Sequence, residues 1–196
     1  MAYVKTTVLT GDIVTATWGN AIQTQYEEAL VDAAAAVPIV PLDRKVTTTT
    51  VTNTGVETTV YSKTILANTL GTDGMLRLKL FGRSINTSTV QNVIVRVKFG
   101  ATTMATWTLI ALNTTDPVEL SATLSNLGAT NSQKGVASFT KDAADSSIIP
   151  SRLASLAATE ATTADKALVV TVQHPSAYTT LWTHIDGGLL ELIKPT

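Results

Sequence analysis

The feature that most limits what this chain can fold into is a succession of short, alternating, β-branched segments running from Val46 to Ile193. In MLRLKLFGR, Met75, Arg77, Lys79 and Phe81 alternate with Leu76, Leu78 and Leu80. Successive strand side chains point to opposite faces, so this segment has one wet face and one dry face, with the leucines inward. QNVIVRVKFG repeats the pattern, setting Val93, Val95 and Val97 against Ile94, Arg96 and Lys98. VETTVYSKTIL offers Val56, Val60, Ile65 and Leu66 as inward candidates, and KVTTTTVT alternates weakly. TTMATWTLIAL, PVELSATL, VASFT, KALVVTVQH, TLWTHI and GLLELI make up roughly eight to ten strands in all. Asn53-Thr54-Gly55 and Leu70-Gly71-Thr72-Asp73-Gly74 read as turns, since Asn, Asp and Gly tolerate positive φ. Between one residue in five and one in six is threonine, and only 15% are charged. Threonine's branched Cβ suits a pleated, half-buried surface better than a helix.

One segment breaks this pattern. Trp18, Ile22, Tyr26, Ala29, Leu30, Ala33 and Val37 recur at steps of three and four, an apolar stripe of helical period. Asn20, Gln23, Thr24, Glu27 and Glu28 fall outside it, and Thr15 or Thr17 can cap its start. The spacing predicts an amphipathic helix over about residues 17–36. Pro38 and Pro41 end it, because proline lacks a donor and disfavours a helical residue before it. A second helical possibility lies around residues 150–158. The expected architecture is mainly β: an antiparallel, jelly-roll-like β-sandwich over residues 46–196, preceded by an N-terminal arm (1–37) carrying one amphipathic helix and an extended linker (38–45).

Charge and composition narrow the function. Fourteen basic and fifteen acidic residues leave a net charge of −1, whereas a general nucleic-acid binder carries a basic excess. The first residues lack the apolar core of a signal peptide, and no apolar run is long enough to span a membrane. The expectation is a soluble chain made in the cytoplasm, with neither nucleic acid nor membrane as partner. With no cysteine there are no disulfides and no thiolate chemistry. Charge is also unevenly placed. From Thr6 to Leu42 the only formal charges are Asp12, Glu27, Glu28 and Asp32, and from Phe99 to Thr115 there are none. Uncharged stretches leave strand edges open to pairing with other chains unless an assembly covers them.

The sequence carries no nucleophile elbow, no phosphate-binding Gly-rich loop and no zinc-binding His-Glu-x-x-His. His174, His184 and Asp186 would make a metal site only if their strands paired suitably; they read as exposed or hydrogen-bonded strand-end residues. Asp142, Asp145 and Asp165 lack calcium-loop spacing, and Glu57, Glu119, Glu160 and Glu191 are scattered. The Asn86 and Asn113 acceptor patterns read as turns. Trp107 and Trp182 lie in apolar strand patterns and are expected in the core. The chain is therefore expected to be no enzyme, with no catalytic residue, no cofactor and no metal. Trp18, Ile22, Tyr26 and Leu30 need a surface to cover, on this domain or a neighbour, and with Leu189, Leu190 and Leu192 they are the candidate interface residues.

Two stretches carry a resemblance. GDIVTATWGNAIQTQYEEAL, through Gly11, Asp12, Val14, Thr15, Ala16, Trp18, Asn20 and Ile22, resembles the N-terminal arms of tailed-phage structural proteins. The Asn68-to-Gly74 turn, the two long strands after it and the Lys98-Phe99-Gly100 ending resemble the jelly-roll modules of phage head-decoration, head-fibre and tail-fibre proteins. The closing VTVQHPSAYTTLWTHIDGGLLELI suits the final strands of such modules. The resemblance implies a virion protein assembled in the host cytoplasm. It implies an arm bound to the major capsid protein or another virion protein, and a homotrimer of β domains. A tail-fibre protein recognising a host-surface glycan is one alternative, and a cellular carbohydrate-binding β-sandwich is another.

Overall fold

The structure, a computed structural model, describes residues 39–111, 115–141 and 151–194. The predicted helix over 17–36, and with it Trp18, Ile22, Tyr26 and Leu30, lies outside the described residues. Eleven strands make up the described elements: β1 (Ile39–Lys45), β2 (Thr49–Thr52), β3 (Thr58–Ile65), β4 (Met75–Asn86), β5 (Gln91–Phe99), β6 (Thr102–Ala111), β7 (Thr115–Asn126), β8 (Gln133–Lys141), β9 (Ser151–Ala158), β10 (Lys166–Gln173) and β11 (Leu181–Ile193). They form two antiparallel sheets. The larger, seven-stranded sheet runs β1-β11-β4-β7-β8-β9, with β2 also paired to β11. The smaller, four-stranded sheet runs β3-β10-β5-β6. The fold is a β-sandwich.

Strand parity builds the core as expected. Leu76, Leu78 and Leu80 of β4 are buried, as are Val93, Val95, Val97 and Phe99 of β5, so the dry faces of the two sheets meet. Val60 and Ile65 of β3 join them, but Val56 and Leu66 do not. Those two lie just outside β3, where the chain has left the sheet, and both are exposed. Trp107 is in the core beside Phe139, ring centroids 6.2 Å apart. Trp182 is not: it sits between the buried Leu181 and Thr183, so alternation turns it to the outer face.

Two segments differ from their sequence reading. Residues 39–45, read as a linker, are extended but paired: Val40 faces Leu192 and Arg44 faces Leu189 in the β1–β11 ladder. An edge strand tolerates Pro41, and the register shifts between Pro41 and Asp43. β1 and β2 then lie one after the other along β11, opposite its two halves. Residues 151–158, read as a possible helix, are β9, paired with β8 from Gln133↔Ala158 to Thr140↔Ser151. An isolated helix of this length is marginal, and an adjacent strand supplies the backbone partners that it would lack.

A buried polar network closes one end of the sandwich. Asn126 donates its amide to the Gly71 carbonyl and the Thr162 hydroxyl (3.0 Å). Gln133 donates to Asn126 Oδ1 (2.7 Å) and accepts from the Glu160 backbone (2.8 Å). Asn126, Gln133 and Thr162 are all buried, so each lost bond strands a partner away from water. Asn126→Ala is expected to cost about 1–3 kcal/mol in urea unfolding, more than a surface Asn change.

Candidate functional surface on the seven-stranded sheet

The ladder registers place the outward residues of the larger sheet in rows that cross it. One row runs Pro41, Glu191, Arg77, Thr123, Val136, Ser155. The next runs Arg44, Leu189, Lys79, Ser121, Ser138, Leu153. A third carries Gly187, Phe81, Glu119 and Thr140. Charged and apolar side chains thus concentrate over β1, β11 and β4, while β7 to β9 carry mainly hydroxyls with Glu119, Lys134, Val136 and Leu153.

Paired glycines shape the first region. Gly187 and Gly188 follow a register shift in β11 between Ile185 and Gly187. A Cβ on Gly187 would meet the Phe81 ring, so that ring lies directly over the bare backbone of β11. This is how an aromatic shields a strand glycine. The ring stays 52% exposed, because nothing described covers its far side. The result is an open trough of about 760 Å³ bordered by Arg44, Arg77, Lys79, Phe81, Leu189 and Glu191. Arg77 Nε donates to Glu191 Oε2 at 2.7 Å, and Lys79 pairs with Glu119 at 3.2 Å. Arg83 stands 3.8 Å from Asp186. Lys45 donates to the Thr47 carbonyl and the Thr49 hydroxyl, and Arg44 has no ion pair among the described residues.

Of the candidate interface residues on β11, only Leu189 faces outward here. Leu190 and Leu192 are buried in the domain's own core, because strand parity sends them to the opposite face. The two histidines are separated by the same rule. His174 is fully buried, not exposed, with Nε2 3.0 Å from the Thr183 hydroxyl, and burial pushes its pKa down to about 4. His184 follows Thr183 and faces the other way, with Nδ1 2.9 Å from the Thr50 hydroxyl. Burial and the nearby Arg83 lower its pKa, against a smaller pull from Asp186.

The remaining carboxylates are structural clasps. Lys98, Thr171 and Arg96 converge on Glu57 across the smaller sheet and hold its pKa below the usual value. Glu160 is held low by Lys166 (3.0 Å), the Thr102 hydroxyl (2.8 Å) and the Ala101 amide. It seats against Gly100, whose φ of 57° and lack of a Cβ leave room for the carboxyl. Asp165 Oδ1 accepts from the Ala67 amide at 2.8 Å. Asn86 is buried, its amide donated to the Thr89 and Ala111 carbonyls. Asp142, Asp145 and Asn113 lie outside the described residues. No group of three His or acidic residues among the described residues is arranged to hold a metal. Acids held in ion pairs with lowered pKa values bind and position; they do not shuttle protons near neutral pH. Sequence reading placed Phe81 on the wet face of its strand but missed the trough. The available signal was an aromatic on a wet face together with a Gly-Gly pair in another strand.

No protein-family model matches the chain, and no curated protein matches it. Among solved structures it is similar to the CBM2 module of the evolved Dit of Lactobacillus casei BL23 phage J-1, at 11% identity over 69% of each chain with a TM-score of 0.38. It is also similar to the VP2 subviral particle of infectious bursal disease virus, at 11% identity over 80% of this chain and 32% of that one, TM-score 0.34. The Gt strain structure of that virus gives 13% identity, 80% and 33% coverage, and a TM-score of 0.30. The chain spans about a third of the length of those bursal-disease chains. Likenesses this distant assign neither a family nor a function.

Proposed function

We propose that the chain is a structural protein of a tailed-phage virion, a head decoration or head-fibre protein. Its arm over residues 1–37 attaches to the major capsid protein or another virion protein, and its β domain associates with two further copies. The observation that carries this reading is the unequal protection of the two flanks of the sandwich. On one flank, β1 carries Pro41 and three consecutive charges, and its Asp43 reaches Lys63 of β3 at 3.7 Å. Proline and charge on an edge are how soluble sheets resist pairing with other chains. On the other flank, β6 and β9 pack against each other with no charge on β6 and one arginine on β9. Beside that edge Leu153 is 77% exposed and Val136 47%, diagonal neighbours on the outer face. An edge that is unguarded among the described residues, next to exposed aliphatics, fits a surface covered in an assembly.

Strand order supports the jelly-roll reading. With β1 and the β8–β9 hairpin set aside, the order is β2-β11-β4-β7 over β3-β10-β5-β6, which is the pairing of two interlocked Greek keys. Jelly rolls serve viral capsids and lectins alike, so strand order alone leaves a tail-fibre role open, and the trough over β11 is the feature that favours it. The association is tested by sedimentation of the full-length chain and of Leu153→Glu. The expected result is a mass of three chains that falls to one when a charge enters the flank. A monomeric wild-type chain contradicts the association.

A further inference from the structure

We propose that the trough over β1, β11 and β4 binds an acidic oligosaccharide, with Phe81 as the platform for a sugar ring and Arg44 and Lys45 receiving its carboxylates. This goes beyond a structural role in a particle. The platform is preset: the tip of the Phe81 ring stands over the bare backbone of Gly187, and the ring remains half exposed. A phenyl face packs against the C–H face of a pyranose, and a ring already held in place gives up little freedom on binding. Beside it, Arg77 and Glu191 are locked together at 2.7 Å, and Lys79 and Glu119 at 3.2 Å. Side chains fixed in pairs keep spare donors and acceptors in set positions, which suits neighbouring hydroxyls on a sugar.

Charge selects the class of sugar. Arg44, Lys45, Arg77 and Lys79 line the trough against only Asp186 and Glu191. Arg77 and Lys79 are neutralised by acids, and Asp186 faces Arg83. Among the described residues, Lys45 meets only neutral oxygens and Arg44 has no ion pair. Two cations at one wall therefore lack anionic partners among the described residues, on a protein whose net charge is −1. A nucleic acid, with one phosphate per nucleotide, asks for a longer basic track and repeated aromatic platforms than this trough offers.

Isothermal titration of the full-length chain tests the proposal, using oligogalacturonate and oligosialate as acidic probes. Dextran oligomers of similar length serve as the neutral control, and oligothymidylate as the nucleic-acid control. The acidic probes are expected to bind at least about tenfold tighter than either control, and Arg44→Gln to weaken them by about tenfold. Arg44 is exposed on an edge strand, so this variant keeps the fold and its melting temperature. Phe81→Leu is expected to weaken binding similarly. The proposal is overturned if neither acidic probe binds, if dextran or oligothymidylate binds as tightly, or if Arg44→Gln binds the acidic probes like wild type.

Discussion

Asp116→Ala is expected to remove about 3–5 kcal/mol from the stability of the β domain, the largest loss of any single polar substitution proposed for it. Asp116 Oδ2 and Lys141 Nζ lie 2.6 Å apart, and both side chains are buried, at 3% and 7% exposure. They meet because β7 and β8 are antiparallel neighbours whose ladder pairs Val118 with Lys141. Removing the acid takes from the buried ammonium its 2.6 Å ion-pair partner, and the cost of that lost pairing in a low-dielectric setting dominates the loss. Lys141→Met is expected to destabilise to a similar degree by taking the ion-pair partner from the buried carboxylate. The double replacement Asp116→Leu with Lys141→Met is expected to lose far less than the sum, because no charge remains buried. Urea unfolding of the four proteins gives the coupling. Additive losses would show that the two charges are solvated independently.

The second large effect is in pH. His174 has a pKa of about 4 in the folded chain against 6.5 for a free imidazole, because its burial disfavours the charged form. Below pH 6.5 the unfolded chain takes up a proton that the folded chain refuses, so stability falls as pH drops from 6.5 towards 4 and is level above that window. The full loss is on the order of 3 kcal/mol, with about 2 kcal/mol gone by pH 5. His184 is also lowered and adds in the same direction. Glu57 and Glu160, with depressed carboxylate pKa values, add their own loss only below the ordinary carboxylate value of 4.5. Unfolding midpoints between pH 7 and pH 5 therefore isolate the histidines. His174→Gln keeps a polar neighbour for Thr183 and cannot titrate, so most of the slope should vanish in it. A slope equal to wild type would place the titrating group elsewhere.

How much of this was readable in the chain depends on which interactions are local. The inward leucines of β4 and valines of β5 follow from alternation alone, since strand parity is a property of neighbouring residues. Parity also explains the misreadings. Trp182 and Leu190 both sit in apolar runs of β11, and only the register of that strand decides that the first faces out and the second in. Residues 39–45 are extended, as their prolines require, but whether an extended segment pairs depends on a strand about 150 positions away. The burial of His174 and the meeting of Asp116 with Lys141 are likewise products of chain closure. Phe81 was visible as an aromatic on a wet face. That Gly187 lies beneath it required the β4–β11 register. The resemblance to phage arms rests on residues 11–22, outside the described structure, and it bears on attachment alone.

Attachment to a virion is therefore the proposal to test most directly, by gold-labelling virus particles recovered from the source of this sequence with antibody raised against residues 46–196. The account predicts label distributed over the heads, and none on particles grown without the gene. Label confined to tail tips would contradict the head assignment in favour of a receptor-binding fibre, and particles without any label would contradict a place in the virion altogether.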